Sequence, residues 1–255
     1  MSLILTSLRN FPLVKPGDSL GKFIIKSLED TEISLQNGDI LVIAQKIVSK
    51  AEGRLRNLKE ITPSDKAKEI AAITGKDPRF VEVVLSESNA VIRTRQNTII
   101  VEHKNGFICA NAGVDHSNVK GEWGDDSDWV LLLPENADRS ADKLRGEIET
   151  YFSVRIGVLI IDSHGRAWRN GIVGTTIGLS GLPALVDLRG TKDLFDYQLK
   201  VTQVASADEL AAGASLVMGQ ASEGTPVVHV RGFPYPMREG KLLDLIRPKE
   251  QDLFR

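Results

Sequence analysis

Short apolar runs alternate with polar, glycine-bearing turns through most of the chain. Apolar runs of strand length that are bounded by turn residues predict strands. These runs are 40–43 after a Gly-Asp turn, three strands within 90–113 of which the last ends at Ala110, 156–161 ending at Asp162 and Ser163, and 225–232. The run at 156–161 is the most apolar of them.

Four further segments predict helices. They are 63–74, 78–88, 139–152 and the alanine-rich segment 207–224. Ser64 precedes the first of these helices and is typical of an N-cap. Because strands and helices are mixed without an internal repeat, the pattern predicts the α+β class. We expect residues 1–255 to form a single unit, with a subdomain boundary near residues 70–90.

Composition narrows the classes of partner. The 255 residues include 32 basic and 34 acidic side chains, so the chain lacks the excess positive charge of non-specific nucleic-acid binders. Small molecules or a second copy of the chain are therefore the expected partners. The single cysteine, Cys109, excludes an intramolecular disulfide framework and favours a reducing compartment. The N-terminus does not resemble a signal peptide and no apolar run reaches membrane-spanning length, so we expect a cytoplasmic protein.

Carboxylates follow two of the predicted strands. Asp115 lies in a small and polar run, Asn111 to Asn118, directly after the strand that ends at Ala110, and Asp162 follows the run 156–161. Mg²⁺ and Mn²⁺ prefer oxygen ligands and leave positions open for water or phosphate, so a shared metal site is one interpretation. The other is an Asx turn, in which the carboxylate accepts hydrogen bonds from its own backbone.

Two lysines, Lys46 and Lys50, lie four residues apart in the segment Gln-Lys-Ile-Val-Ser-Lys. On a helix they would share one face and form a candidate phosphate clamp near Ser49, although lysines at this spacing are also common on solvated surfaces. The chain has neither the GxxxxGK[ST] pattern of a P-loop nor the GxGxxG pattern of a Rossmann fold. Any nucleotide site must therefore be of another kind.

The segment 218–226 follows a helix whose end is marked by Gly219. Gln220 and Glu223 supply oxygen atoms, and backbone amides near Gly224 could approach a phosphate, but a helix C-cap followed by a plain loop explains the same residues. The four histidines have no zinc-ligand spacing, and we expect His103 to be exposed. Cys109 lies inside an apolar strand and is typical of a core residue rather than a nucleophile.

Five segments taken together resemble the coenzyme F420-0:L-glutamate ligase family, the γ-glutamyl ligases of deazaflavin coenzyme biosynthesis. They are 38–54, 105–119, 132–145, 157–190 and 207–232. The resemblance runs in order and at similar spacing from about Phe11 to Gly232. It implies an α+β fold with two intertwined subdomains, neither a P-loop nor a Rossmann domain, and a homodimer with the nucleotide bound near the subunit interface.

The resemblance also implies specific site residues. The metal ligands would be Asp115 and Asp162, with Ser163 and Gln220 serving a second metal. The nucleotide would contact Phe11, Pro12, Leu13, Val14, Gln45, Lys46, Lys50, Asn118, Gly219, Gln220, Ala221, Ser222, Glu223, Gly224, Thr225 and Pro226. Lys50, Asp115 and Asp162 would be catalytic. The implied cofactors are GTP as a substrate, Mg²⁺ or Mn²⁺ at two sites, and K⁺ as an additional candidate.

The activity that the resemblance implies is a GTP-dependent ligation of L-glutamate to the lactyl-phosphate carboxylate of the deazaflavin precursor through an acyl phosphate, with further γ-glutamyl additions as an extension. Three features depart from the family pattern: His116, His164 and the segment 119–130. They leave two alternatives open. One is a related ligase with a different carboxylate acceptor, and the other is a nucleotide-binding homologue without turnover.

Overall fold

The computed structural model describes residues 2–116 and 128–252, which form a mixed α+β fold. The strands are β1 (Ile4–Ser7), β2 (Ile40–Ala44), β3 (Leu55–Asn57), β4 (Ser88–Arg95), β5 (Thr98–His103), β6 (Ile108–Ala110), β7 (Trp129–Leu131), β8 (Gly157–Arg166), β9 (Arg169–Ser180), β10 (Val186–Asp187), β11 (Gln203–Val204) and β12 (Val227–Arg231). The helices are α1 (Leu20–Asp30), α2 (Gln45–Ala51), α3 (Asp65–Thr74), α4 (Pro78–Ser86), α5 (Ala137–Phe152) and α6 (Ser206–Met218), with short 3-10 turns at Leu58–Glu60, Asn111–Gly113, Leu242–Leu245 and Lys249–Gln251. The predicted α+β class is confirmed.

A five-stranded sheet in the order β1-β12-β2-β8-β9 forms the centre of the molecule. Only the pair β2 and β8 is parallel, and the other neighbours in this sheet are antiparallel. Alternate residues of β2 and β8 face opposite cores. Leu41 and Val158 pack with α1 and α5 on one face, whereas Val42 and Leu159 pack with α6 on the other. Each buried Leu or Ile contributes about 1.5–3 kcal/mol, so both helical layers are held firmly on the sheet.

A second lobe is inserted between α2 and α5. The chain enters it through β3 and leaves it through β7, and these two strands pair with each other. Inside the lobe, α3 and α4 pack on the three-stranded sheet β4-β5-β6 around Phe80, Val84, Ile99 and Val101. This insertion brings the end of β6 and Asp115 beside the central sheet, because Asp115 pairs with Leu131, the last residue of β7.

Local signals explain several element boundaries. The Ser64 hydroxyl accepts a hydrogen bond from the Ala67 amide at the start of α3, which confirms the predicted cap. Pro78 begins α4 behind the capping residue Asp77, and Gly219 ends α6. The predicted strands around Asn97 and the predicted helix at 139–152 are confirmed within two residues.

Two predicted boundaries are wrong. The strand predicted to end at Asp162 continues as β8 through Arg166, because each residue of this polar extension lies opposite a residue of the antiparallel strand β9. The range 207–224 predicted for the last helix is too long, since α6 ends at Met218, whereas the prediction that Gly219 marks its end is confirmed by the positive φ of 75° at this residue. None of the helices in the described ranges is long and apolar enough to cross a membrane.

Candidate functional site

The topology of the central sheet brings the predicted site segments to one edge. In the parallel pair, Ala44 of β2 aligns with Ile161 of β8, so Gln45 and Asp162 follow at the same level. The antiparallel strand β12 begins at this edge, where the Ala44 amide donates to the Pro226 carbonyl at 2.8 Å. The segments 45–50, 162–163 and 219–226 therefore meet there.

The segment after β1 reaches the same edge. The Leu8 amide donates to the carbonyl of Val227 at 2.9 Å, which anchors the chain just before Phe11. Phe11 packs edge-on against Phe23 of α1. Of the four residues predicted here to contact a nucleotide, Val14 is buried in the core and Leu13 is 91% exposed. This segment therefore offers backbone groups and the exposed side chains of Pro12 and Leu13 to the edge.

Lys46 and Lys50 lie four residues apart on α2, as predicted from their spacing. Lys46 Nζ forms an ion pair with Asp115 Oδ2 at 2.7 Å. Lys50 is half-buried, and its ammonium makes no ion pair with any residue of the described ranges. Burial lowers the pKa of Lys50, and the charge of Lys46 lowers it further. A poorly solvated ammonium without an acidic partner is a favourable site for an anion.

The side chain of Gln45, at the start of α2, is fixed by burial and by a hydrogen bond. It is 2% exposed, and its side-chain oxygen accepts a hydrogen bond from the Ser49 hydroxyl at 2.9 Å. The contact between residues four apart fixes the first turn of α2 and leaves the amide NH₂ of Gln45 as the group available for other partners. Ser49, noted in the sequence only as a neighbour of the two lysines, thus supports Gln45.

Asp162 lies within β8 and has a partner on the same face of the strand. His164 Nε2 lies 3.1 Å from Asp162 Oδ2, and both side chains are largely buried. Phe107, from the second lobe, packs on the His164 ring with centroids 5.5 Å apart. The role of His164 was missed because ending the strand at Asp162 hid the alternation that puts residues 162 and 164 on one face.

Ser163 and Gln220, predicted together as ligands of a second metal, are in contact. The Ser163 hydroxyl donates to the Gln220 side-chain oxygen at 2.9 Å, and the Gln220 amide donates to Ser215 Oγ of α6. These contacts orient the oxygen of Gln220 toward β8. The structure thereby joins β8 to the 219–226 loop.

The rest of the 219–226 loop is open to solvent between Gln220 and Gly224. Glu223 folds back so that its carboxylate accepts from the Ala221 amide at 2.8 Å. Hydrogen bonds from its own backbone amide and then from the Ala221 amide lower the pKa of Glu223. The Thr225 hydroxyl donates to the Met218 carbonyl, which closes the loop at its base. Asn118, the remaining predicted nucleotide contact, lies outside the described residues.

The donor chemistry at this edge suits a hard divalent cation. Asp115, Asp162, Ser163 and Gln220 present carboxylate, hydroxyl and amide oxygens, which are the ligand types that Mg²⁺ and Mn²⁺ prefer. Across the described ranges, no group of three or more His, Cys, Asp or Glu side chains is placed to hold a metal. A metal here would therefore draw on the hydroxyl and amide oxygens, water or a ligand's phosphates as well as the carboxylates.

Two other sequence predictions have clear outcomes. Cys109 is a buried free cysteine, so its assignment to the core is confirmed. Burial is the main cause that raises the pKa of its thiol to about 12, and the negative charge of Asp162 raises it further.

His103 was predicted to be exposed, which is wrong. It is 2% exposed because its ring stacks on Phe107, with centroids 4.9 Å apart, and its Nδ1 accepts from the Asn105 amide.

Comparison with known proteins identifies close relatives. The family model for F420-0:Gamma-glutamyl ligase matches residues 9–232. The Coenzyme F420:L-glutamate ligase of Methanocaldococcus jannaschii is 50% identical over 222 residues, 87% of this chain and 86% of the relative. The protein of the same name from Methanothermobacter thermautotrophicus is 44% identical over 257 residues, covering 100% of both chains. That from Methanopyrus kandleri is 47% identical over 95% of this chain and 93% of its own length.

Proposed function

The chain belongs to the F420-0:gamma-glutamyl ligase family, and on that premise we propose that it joins L-glutamate to the lactyl-phosphate carboxylate of coenzyme F420-0. The new bond is an amide, and further glutamates are added through γ-linkages. GTP supplies the energy, and Mg²⁺ or Mn²⁺ is required. Relatives of nearly full length that carry the name Coenzyme F420:L-glutamate ligase support the ligase activity.

The observation that carries the nucleotide part of the proposal is the charge arrangement at the sheet edge. The ammonium of Lys50 has no acidic partner in the described part of the chain, and Lys46 lies one turn away on the same helix. Asp115 is ion-paired to Lys46, and Asp162 follows Ile161 at the level of the sheet where α2 begins. A triphosphate with its metal needs both kinds of group, because phosphoryl transfer depends mainly on positioning and charge neutralisation.

The proposed reaction has two steps. An oxygen of the acceptor carboxylate forms a bond to the γ-phosphorus of GTP while the bond to the β-phosphate oxygen breaks, which gives an acyl phosphate and GDP. The α-amino nitrogen of glutamate then forms a bond to the acyl carbon. Phosphate leaves with the electron pair of the carbon–oxygen bond, and the amine nitrogen loses one proton to solvent and keeps the other as the amide N–H.

The side chains of this protein have separate roles in that sequence. Lys50 neutralises charge on the transferring phosphate, and the position of Gln45 at the start of α2 lets its NH₂ group donate to the nucleotide. Asp115 and Asp162 would hold the divalent metal, with Ser163 and Gln220 serving a second one. When bound, such a metal neutralises charge on the phosphates and orients them for in-line transfer.

We also propose that the protein is a homodimer. The segment 186–204, here termed the arm, is closed at its base by the pairing of β10 with β11. Its residues Leu194, Phe195 and Val201 are each at least 85% exposed. Large apolar side chains concentrated on one projecting segment favour association with another surface, and charges of both signs on the arm suit a second copy of the chain.

The proposed function is tested by incubating the protein with GTP, Mn²⁺ and L-glutamate, with and without F420-0. The expected result is GDP release that depends on F420-0, together with a product heavier by one glutamyl unit in the mass spectrum. GTP turnover with a different carboxylate but not with F420-0 would instead establish a related ligase. Binding of nucleotide without turnover on any acceptor would contradict the catalytic proposal.

The acyl phosphate has its own test. F420-0 labelled with ¹⁸O in the lactyl carboxylate should transfer one labelled oxygen to the phosphate released during ligation, because the carboxylate oxygen remains on phosphorus when the amide forms. Unlabelled phosphate would exclude this intermediate while leaving the ligase activity intact.

A further inference from the structure

The ion pair between Lys46 and Asp115 has a consequence for metal binding. The two side chains are 29% and 35% exposed, and Nζ lies 2.7 Å from Oδ2. An oxygen that accepts an ammonium proton is less available to a metal, and the positive charge of the ammonium repels a divalent cation beside it. Lys46 and a metal at Asp115 therefore compete for the same carboxylate.

Lys50 differs from Lys46 in this respect. Both are on α2, one helical turn apart, but Lys50 forms no ion pair with the residues that the structure describes. The helix thus has one lysine bound to an acid and another available to an anion. A triphosphate placed against this helix would attract both ammonium groups and draw Lys46 from Asp115.

We propose that Lys46 is a positioning residue that couples metal binding to phosphate binding. Its ammonium neutralises Asp115 while nucleotide and metal are absent, and it moves to the phosphates when both bind. This inference rests on the proposed function, because it takes Asp115 as a metal ligand and α2 as the phosphate-binding helix. Each charged group keeps a partner of opposite charge in the exchange. The metal replaces the ammonium at Asp115, and the ammonium moves to a phosphate oxygen.

The exchange makes binding of the two ligands cooperative. Metal alone has to displace Lys46 from Asp115, and nucleotide alone has to recruit Lys46 without a replacement charge at the carboxylate. When both are present, each ligand prepares the site for the other, and the coupling is reciprocal. A half-exposed ion pair accounts for about a fivefold effect on the metal's dissociation constant.

The test is an equilibrium titration of the full-length protein with Mn²⁺, followed by electron paramagnetic resonance, with and without the non-hydrolysable analogue guanosine 5′-(β,γ-imido)triphosphate. Wild-type protein should bind Mn²⁺ weakly alone and more tightly with the analogue. Lys46→Gln should bind Mn²⁺ about fivefold more tightly than wild type without nucleotide, and the tightening by the analogue should shrink. Equal or weaker Mn²⁺ binding by Lys46→Gln alone would overturn the proposal.

Two variants control for charge and for folding. Lys50→Gln removes the same charge one turn away and leaves the ion pair of Lys46 with Asp115 in place, so its Mn²⁺ affinity without nucleotide should stay within about twofold of wild type. A tightening equal to that of Lys46→Gln would indicate a general field effect and overturn the proposal. Lys46→Arg keeps a cation on Asp115 and should retain wild-type behaviour. Circular dichroism melting verifies that each variant is folded.

The outcomes separate this inference from the proposed function. The titration needs no turnover, so the predicted coupling in a protein that makes no glutamyl product would contradict the proposed function alone. A protein that makes the product but shows no change in Lys46→Gln would contradict the coupling alone. Failure of wild type and all variants to bind Mn²⁺ would overturn the coupling together with the metal assignment.

Discussion

At the scale of single residues, His103 is a buried imidazole whose protonation opposes folding. Burial is the main cause that lowers its pKa from 6.5 to about 4, and the charges of Arg54 and Lys104 lower it further. Its Nδ1 accepts from a backbone amide, and its Nε2 is buried without a partner among the described residues. A second proton would therefore place an unsolvated charge inside the protein.

The pH dependence follows from that pKa. Between about pH 6.5 and 4 the unfolded chain binds a proton at His103 and the folded chain does not, so stability falls as pH falls through this window. The full effect is about 3 kcal/mol. Urea titrations at pH 7 and pH 4.5 should show a smaller loss in His103→Gln than in wild type. Equal losses in the two proteins would contradict the assignment.

At the scale of elements, glycine permits the close packing of β9 on α6. A Cβ atom at Gly174 would lie 2.6 Å from the Ser215 Cβ and still closer to the Ala211 carbonyl oxygen. Both neighbours lie on the buried face of α6. This helix cannot shift away from the sheet without disturbing the core, because the same face packs against β8. The distance between this helix and the sheet also sets where Gln220 meets Ser163.

We therefore expect Gly174→Ala to destabilise the protein by about 1–3 kcal/mol through overpacking. Gly165→Ala on the paired strand is the matched control, since an added Cβ there meets no heavy atom within 4 Å. The free energy of unfolding from urea denaturation measures both. Equal stability of the two variants would show that α6 adapts to the added methyl group.

The polar half of β8 illustrates what local patterns miss. The apolar run that ends at Ile161 predicted a strand correctly, but polar residues after it suggested a turn. Pairing with β9 continues the strand through Arg166, and that pairing is a long-range property of the chain. The alternation of Asp162 and His164 becomes visible only when the continuation is known. In contrast, the cap at Ser64 depends only on neighbouring residues and was predicted correctly from the sequence.

At the scale of the whole molecule, the candidate site is assembled from segments that are far apart in the sequence. Residue patterns marked the segments 45–50, 111–118, 162–163 and 218–226 as candidates, and the family resemblance added 11–14. Their meeting point depends on the strand order β1-β12-β2-β8-β9, in which only one pair is parallel. Periodicity and spacing do not determine strand order. The resemblance to a family indicated that the segments belong to one site. The sheet topology explains why four of them lie at the same edge. The fifth, which contains Asp115, is joined to that edge by the ion pair between Lys46 and Asp115.

The proposed dimer belongs to this scale as well. Replacing Leu194 and Phe195 together with serine removes two exposed apolar side chains from the arm without touching the core. Light scattering coupled to size-exclusion chromatography should report a dimer for wild type and a shift toward monomer for the double variant. Leu243→Ser, which removes an exposed leucine outside the arm, should remain dimeric. A double variant that stays fully dimeric would contradict a role for the arm.

The central claim is that ligation takes place at the candidate site around Asp162. Product formation by Asp162→Asn tests this claim most directly. Asparagine keeps the shape of aspartate and still accepts from His164, so the substitution removes mainly the negative charge. We predict that formation of the glutamyl product from F420-0 falls by at least about 100-fold because metal holding is lost, while the melting temperature stays close to that of wild type. Asp65→Asn, at an exposed residue of α3 outside both the candidate site and the arm, should retain wild-type activity. Near-wild-type product formation by Asp162→Asn would contradict the account.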